Sequence, residues 1–230
     1  DRYAYLSGTS MAAPMATGAA AVLREYLAAV HGLTAPSAAL VKALLLLATA
    51  PVPGASAHSL LSGPQVGSPD YDQGHGRLDL RELLPYPGGP ARGVRCVDVP
   101  TGSADALESE ADVGSPRAAQ RTDPFRVAAG GRVPVRLALT WTDVPAPGVH
   151  NLLSLRLRLP NDTYVYGNPD HRLYADPAKV LNGDLVIDEH NNALCVRVDD
   201  PPPGDYLAVV SAVSTPEPGQ GYALAASGPF

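Results

Sequence analysis

The chain has 230 residues, 45% hydrophobic and 17% charged, with a formal net charge of −6. That balance fits a globular protein and argues against a nucleic-acid binder, which carries a basic face. No apolar run reaches the roughly 18 residues of a spanning helix, since Lys42 and Pro51 bound the longest one, so no membrane partner is expected. A secretory leader is not visible, as it would not be in an internal piece of a longer protein.

The first element is a predicted helix that begins near Gly8-Thr9-Ser10-Met11-Ala12-Ala13-Pro14 and runs to Leu27. Gly8 permits a tight turn and a close backbone approach. A hydroxyl of Thr9 or Ser10 is expected to cap the helix, and Pro14 is expected in its first turn. Ser10 then sits at a helix N-terminus, where free N–H groups and the dipole favour a developing oxyanion. Ala12, Ala13, Ala16, Ala19, Ala20, Ala21, Val22 and Leu23 make the helix apolar all round, which predicts burial on every side. An esterase-type nucleophile elbow needs glycine two residues after the serine, and Ala12 stands there.

The string from Gly8 to Pro14, with Gly18 behind it, resembles the nucleophile segment of the subtilisin-like serine proteases, the subtilases. Two further landmarks follow in that family's order. Ser37 to Ala50 resembles the next subtilase helix, with Pro36 at its start and Thr49-Ala50 at its end. Tyr71-Asp72-Gln73-Gly74-His75-Gly76-Arg77-Leu78-Asp79 resembles the closing Gly-x-Gly strand, followed by a short helix through Leu84. Met15 departs from the histidine that many bacterial subtilisins carry after the proline. The resemblance implies that Ser10 is the catalytic nucleophile, supported by Gly8 and Thr9 in the nucleophile loop and at the oxyanion. The family's triad runs Asp, His, Ser along the chain. Residues 1–87 are therefore expected to be the C-terminal part of an α/β subtilase catalytic domain, whose Asp and His lie in a missing N-terminal half.

After the turn-dense Pro85-Tyr86-Pro87-Gly88-Gly89-Pro90, the period changes to two. Strands are predicted at Val94–Val99, Val133–Trp141, Leu153–Leu159, Tyr164–Tyr166, Leu194–Val198, Asp205–Val210 and Tyr222–Ala225. Asn161-Asp162-Thr163 fits a glycosylation sequon and reads equally as a hairpin turn. Residues 101–120 are polar and weakly patterned, so a surface excursion or local disorder is expected there. Residues 91–230 are thus expected to form an antiparallel β-sandwich of jelly-roll type, folding independently as an accessory domain. A subtilase end followed by such a sandwich resembles the oxidatively stable alkaline protease branch. Leu139-Thr140-Trp141-Thr142-Asp143, Asn151, Leu159-Pro160-Asn161-Asp162-Thr163 and Asn191-Asn192 occur in the order expected of that branch.

In that branch acidic residues bind calcium, but the matching stretch Asn151-Leu152-Leu153-Ser154 lacks the acids. Asp184, Asp188, Glu189, Asn191 and Asn192 offer oxygens for a structural calcium, and a solvated loop is the favoured competing reading. His31, His58, His75, His150, His171 and His190 have no metal-ligand spacing, so no metal residues are assigned. His31 and His58 are expected in loops. Cys96 and Cys195 fall in predicted strands, and a disulfide between them depends on their geometry.

The resemblance implies a secreted serine endopeptidase that cleaves polypeptide substrates through an acyl-enzyme on Ser10. The alternative is a truncated, non-catalytic piece whose sandwich serves binding or stabilisation.

Overall fold

The computed structural model describes residues 5–52, 73–109, 119–128, 133–168 and 188–230, and the chain divides into two units, Asp1–Pro36 and Ser37–Phe230. The first unit is built around α1 (Thr9–His31). Gly32, in the left-handed region at φ 70°, stops the helix, and the Leu33 N–H reaches back to the Leu27 carbonyl at 3.0 Å. The loop expected at His31 is instead the last helical position, where its ring meets Tyr26 edge-on at 5.3 Å.

The second unit opens with α2 (Ala38–Leu47), whose N-cap is Ser37: its hydroxyl accepts from the Leu40 amide at 3.0 Å. The helix is shorter than the Ser37–Ala50 span expected, because Thr49–Ala50 leave it as β1. That strand pairs antiparallel with β2 (Arg77–Leu78). Gly76, at φ 103°, brings its backbone against Ala50, where a Cβ would strike the carbonyl. A single 3₁₀ turn, Leu80–Glu82, stands where the short helix was expected.

Among the described residues eight strands follow: β3 (Gly93–Val99), β4 (Gln120–Val127), β5 (Val135–Thr140), β6 (Leu152–Arg158), β7 (Tyr164–Tyr166), β8 (Ala193–Val198), β9 (Gly204–Ser214) and β10 (Tyr222–Gly228). They pair into two antiparallel sheets, β3-β10-β5-β8 and β4-β9-β6-β7. Numbered within the sandwich, these are orders 1-8-3-6 and 2-7-4-5, the jelly-roll connection. Alternate residues fill the space between the sheets, among them Leu137, Leu139, Trp141, Leu153, Leu155, Leu157, Tyr206 and Leu224. The Asn161–Thr163 stretch is the β6–β7 turn, with Asp162 at φ 62° and the Asn161 side chain accepting from the Thr163 amide and hydroxyl.

Two expectations for this half are corrected. β4 went unseen because Gln120-Arg121-Thr122-Asp123-Pro124 carries charge and a proline; it is an edge strand, where Pro124 is tolerated, and only Phe125 and Val127 turn inward. The 101–120 stretch is a surface excursion only in part: residues 101–105 are largely exposed turns, but Leu107 is fully buried and bridges Gln220, with Ala106, Glu108 and Ser109 buried beside it. Residues 110–118 lie outside the described residues.

The outer face of the β3-β10-β5-β8 sheet carries small side chains, Ala223, Ala225, Ala138 and Ala193, and α2 packs against it. Ala39, Leu40, Val41, Ala43, Leu44 and Leu47 are buried, as an all-apolar helix requires. Four polar ties fix its seat. The Ser37 amide and hydroxyl donate to Asp98 at 2.8 and 2.6 Å, and Lys42 Nζ reaches Asn192 Oδ1 at 2.7 Å. Thr140 donates to the Ala39 carbonyl, and Arg136 Nη2 to the Thr49 carbonyl at 2.9 Å.

Candidate functional site

Ser10 is the second residue of α1, in the first turn. The residue that starts the helix is Gly8, at φ 146° and ψ 169°, a conformation open to glycine almost alone. Its carbonyl accepts from the Met11 and Ala12 amides at 3.0 and 3.2 Å. The cap expected from Thr9 or Ser10 is therefore corrected: no side chain caps the helix, because both hydroxyl residues already lie inside it. The first amides of a helix have no acceptor within it, so the Thr9 and Ser10 N–H groups belong to the positive end of the dipole. No acidic residue in the first turn offsets that field.

Pro14 is corrected as well. It stands inside the helix, one turn beyond Ser10, rather than in the first turn. A proline has no N–H to give the carbonyl four residues back, which here is that of Ser10. The Thr17 hydroxyl donates to the neighbouring Ala13 carbonyl at 3.0 Å.

Burial divides α1 along its length. Ser10 and the run Met11–Gly18 are exposed, and burial begins at Ala19, followed by Leu23 and Leu27. Tyr5, Leu6, Met11 and Met15, within five residues of the serine along the chain, are exposed apolar side chains. The helix expected to be buried on every side is thus uncovered over its first half. Among the described residues of this unit, α1 is the only regular element, so no second described element of the unit packs on that half.

The described histidines do not assemble with Ser10 within its unit. Twenty-one residues of helix separate Ser10 from His31, about 32 Å of axial rise. His75 lies in the second unit, 3.7 Å from the buried Cys195 thiol through Nδ1. Burial pushes the His75 pKa down, and the nearby Lys42 ammonium adds to that shift. His58 and His171 fall outside the described residues.

Of the residues weighed for calcium, Asp188 and Asn192 spend their oxygens on N–H donors. The buried Asp188 carboxylate accepts from the His190 and Asn191 amides, the Asn191 side chain and Asn168 Nδ2. Asn192 Oδ1 takes the Lys42 ammonium. Carboxylates held this way close loops and leave little for a cation that wants six to eight oxygens. Asp184 lies outside the described residues. Asn151 is likewise structural, with Nδ2 on the Glu217 carbonyl and Gln220 Oε1. Among the described residues, no group of three or more His, Cys, Asp or Glu side chains is placed to hold a metal, and no helix is long and apolar enough to cross a membrane.

Residues 1–76, which hold Ser10, both helices and the Gly74–Gly76 turn, match the sequence model of the subtilase family. The match covers about a third of the chain. A serine protease/ABC transporter B family protein, tagA of Dictyostelium discoideum, is 24% identical over 236 residues, which is 95% of this chain. The chain spans 12% of that relative's length. Among solved structures, CorA of Methylomicrobium album BG8, described as a surface-associated copper-binding protein, aligns with a TM-score of 0.32 and 13% identity. The alignment covers 60% of this chain and 93% of that one, and a likeness this low carries no argument. The subtilase match thus falls on the helices and the Gly74–Gly76 turn and ends before the jelly roll begins.

Proposed function

We propose that the chain is the C-terminal portion of a subtilisin-like serine endopeptidase. In this reading residues 1–87 complete a catalytic domain and 91–230 form its accessory jelly roll, as in the oxidatively stable alkaline protease branch. The observation that carries it is an exposed serine in the first turn of an apolar helix, inside the segment that matches the subtilase family. Ser10 Oγ attacks the scissile carbonyl and passes its proton to a histidine from the rest of the catalytic domain, itself oriented by an aspartate there. Helix N-terminal amides, that of Ser10 among them, receive the oxyanion, while Gly8 and Thr9 set the approach. Collapse of the tetrahedral intermediate returns the proton to the leaving amine and leaves an acyl group on Ser10, which water removes. The exposed Tyr5, Leu6, Met11 and Met15 are the surface that the remaining half covers. Secretion follows from the same family reading.

Fluorophosphonate labelling tests the proposal. A longer gene product carrying the complete catalytic domain labels at Ser10, Ser10→Ala abolishes the label, and the 230-residue chain alone stays unlabelled. No labelling of the longer product, or a label that survives Ser10→Ala, overturns the nucleophile assignment. Strong labelling of the isolated chain overturns its dependence on a missing half.

A further inference from the structure

The outer face of the α2-bearing sheet ends in a row that no catalytic reading uses. Arg136 on β5 stands opposite Arg197 on β8 and, on its other side, opposite Ser227 on β10. These residues project to the same face because they are direct partners across the ladders. Arg92 immediately precedes β3, whose Val94 pairs with Ser227, so a third guanidinium enters at the same end of the sheet.

Three donors in this group are buried without a hydrogen-bond acceptor: Arg136 Nη1, Arg92 Nε and Ser227 Oγ. Arg136 is only 8% exposed, and Ser227 is fully buried. Arg136 Nη2 is already committed to the Thr49 carbonyl, and Arg92 Nη1 approaches the Arg81 carbonyl at 3.5 Å. The Glu82 carboxylate faces Arg136 Nη1 at 3.6 Å, within ion-pair range but longer than a charge-assisted hydrogen bond. Asp199 takes Nε of Arg197 at 2.9 Å, which leaves the two terminal nitrogens of that fork. Three cations thus face two carboxylates, with one positive charge in surplus. Burial lowers the Arg136 pKa to about 10, with Arg197 as the next cause, so it remains a cation at neutral pH.

We propose that Arg92, Arg136, Arg197 and Ser227 bind a compact divalent oxyanion, inorganic sulfate or phosphate. Every unspent group here is a donor, and guanidinium forks match the several oxygens of a tetrahedral anion. The Arg197 and Glu82 side chains, 18% and 34% exposed, are the members of the group that reach solvent. A bound anion ties the start of β3 to β5, β8 and β10, beside the end of α2.

The test is thermal stability of the 230-residue chain in sulfate, with chloride at matched ionic strength as the reference. A saturable rise in melting temperature at millimolar sulfate is expected, since a ligand that binds only the native state stabilises by mass action. Non-specific salting-out needs far higher concentrations and does not saturate. Arg92→Gln weakens half-saturation by at least about tenfold, the loss of one charge-assisted hydrogen bond. Glu82→Gln, which removes the competing carboxylate, strengthens it. An O-phosphoserine peptide separates a free ion from a phosphorylated chain: the buried donors predict that inorganic phosphate binds and the peptide does not. Identical responses to sulfate and chloride, or parental responses in both variants, overturn the site. Binding of the phosphopeptide without inorganic phosphate overturns the choice of ligand.

Discussion

The buried Thr140 hydroxyl on β5 donates to the main-chain carbonyl of Ala39 in α2, at 2.6 Å. One partner belongs to the segment that matches the subtilases and the other to the jelly roll. The sandwich face is therefore not a free surface: α2 covers it.

Thr140→Val keeps the shape of the side chain and removes the donor. It leaves the Ala39 carbonyl without this partner in a site closed to water. We expect a loss of about 0.5–1.5 kcal/mol, the net worth of one buried hydrogen bond, because the carbonyl keeps its helical partner, the Ala43 amide. Urea unfolding of the full chain measures it, and an unchanged midpoint would mean that α2 is only loosely seated.

Cys96 and Cys195 lie in one cross-sheet row, Cys96–Ala225–Ala138–Cys195. Three strand spacings put them about 14 Å apart. A disulfide needs Cα atoms within about 7 Å, so the bridge left open by the sequence does not form. Burial raises the Cys96 thiol to about 11 and Cys195 to about 12, and Asp98 adds to the first shift. We expect two free thiols on titration in denaturant and slow alkylation of the native chain at pH 8, where roughly a thousandth or less of either is ionised. A single mass loss of two hydrogens in the intact chain would contradict this.

His75 links stability to pH. Its folded pKa is held below the unfolded value by burial, with Lys42 beside it, so the folded state takes up its proton less readily. The associated stability is fully present above about pH 6.5 and is lost as pH falls from there toward the folded pKa. Cys195 is the other group facing the ring, and it stays neutral over that range. His75→Gln is expected to flatten the melting temperature between pH 7 and pH 5; an undiminished slope would place the acid sensitivity elsewhere.

Much of this was legible along the chain. Leu153-Ser154-Leu155-Arg156-Leu157 alternates cleanly and is β6, and the apolar run after Ser37 is a buried helix. Both signals are local, set by the period of the backbone. β4 was hidden because an edge strand asks for only two inward side chains and admits a proline. Leu107 was hidden because a lone bridge to Gln220 leaves no period to read. At Ser10 the motif gave the neighbourhood, but the backbone of Gly8, not a hydroxyl, starts the helix.

The sequence by itself determined the subtilase-like string around Ser10 and the alternation of the second half, since both reside in neighbours along the chain. Only the tertiary structure decided that α2 seats on the jelly roll, that the cysteines stand at opposite edges of one sheet, and that Arg136 meets Arg197 and Ser227. Those facts depend on which strands become neighbours and in what register. Register is fixed by the burial of the whole sandwich and is not written into any single strand.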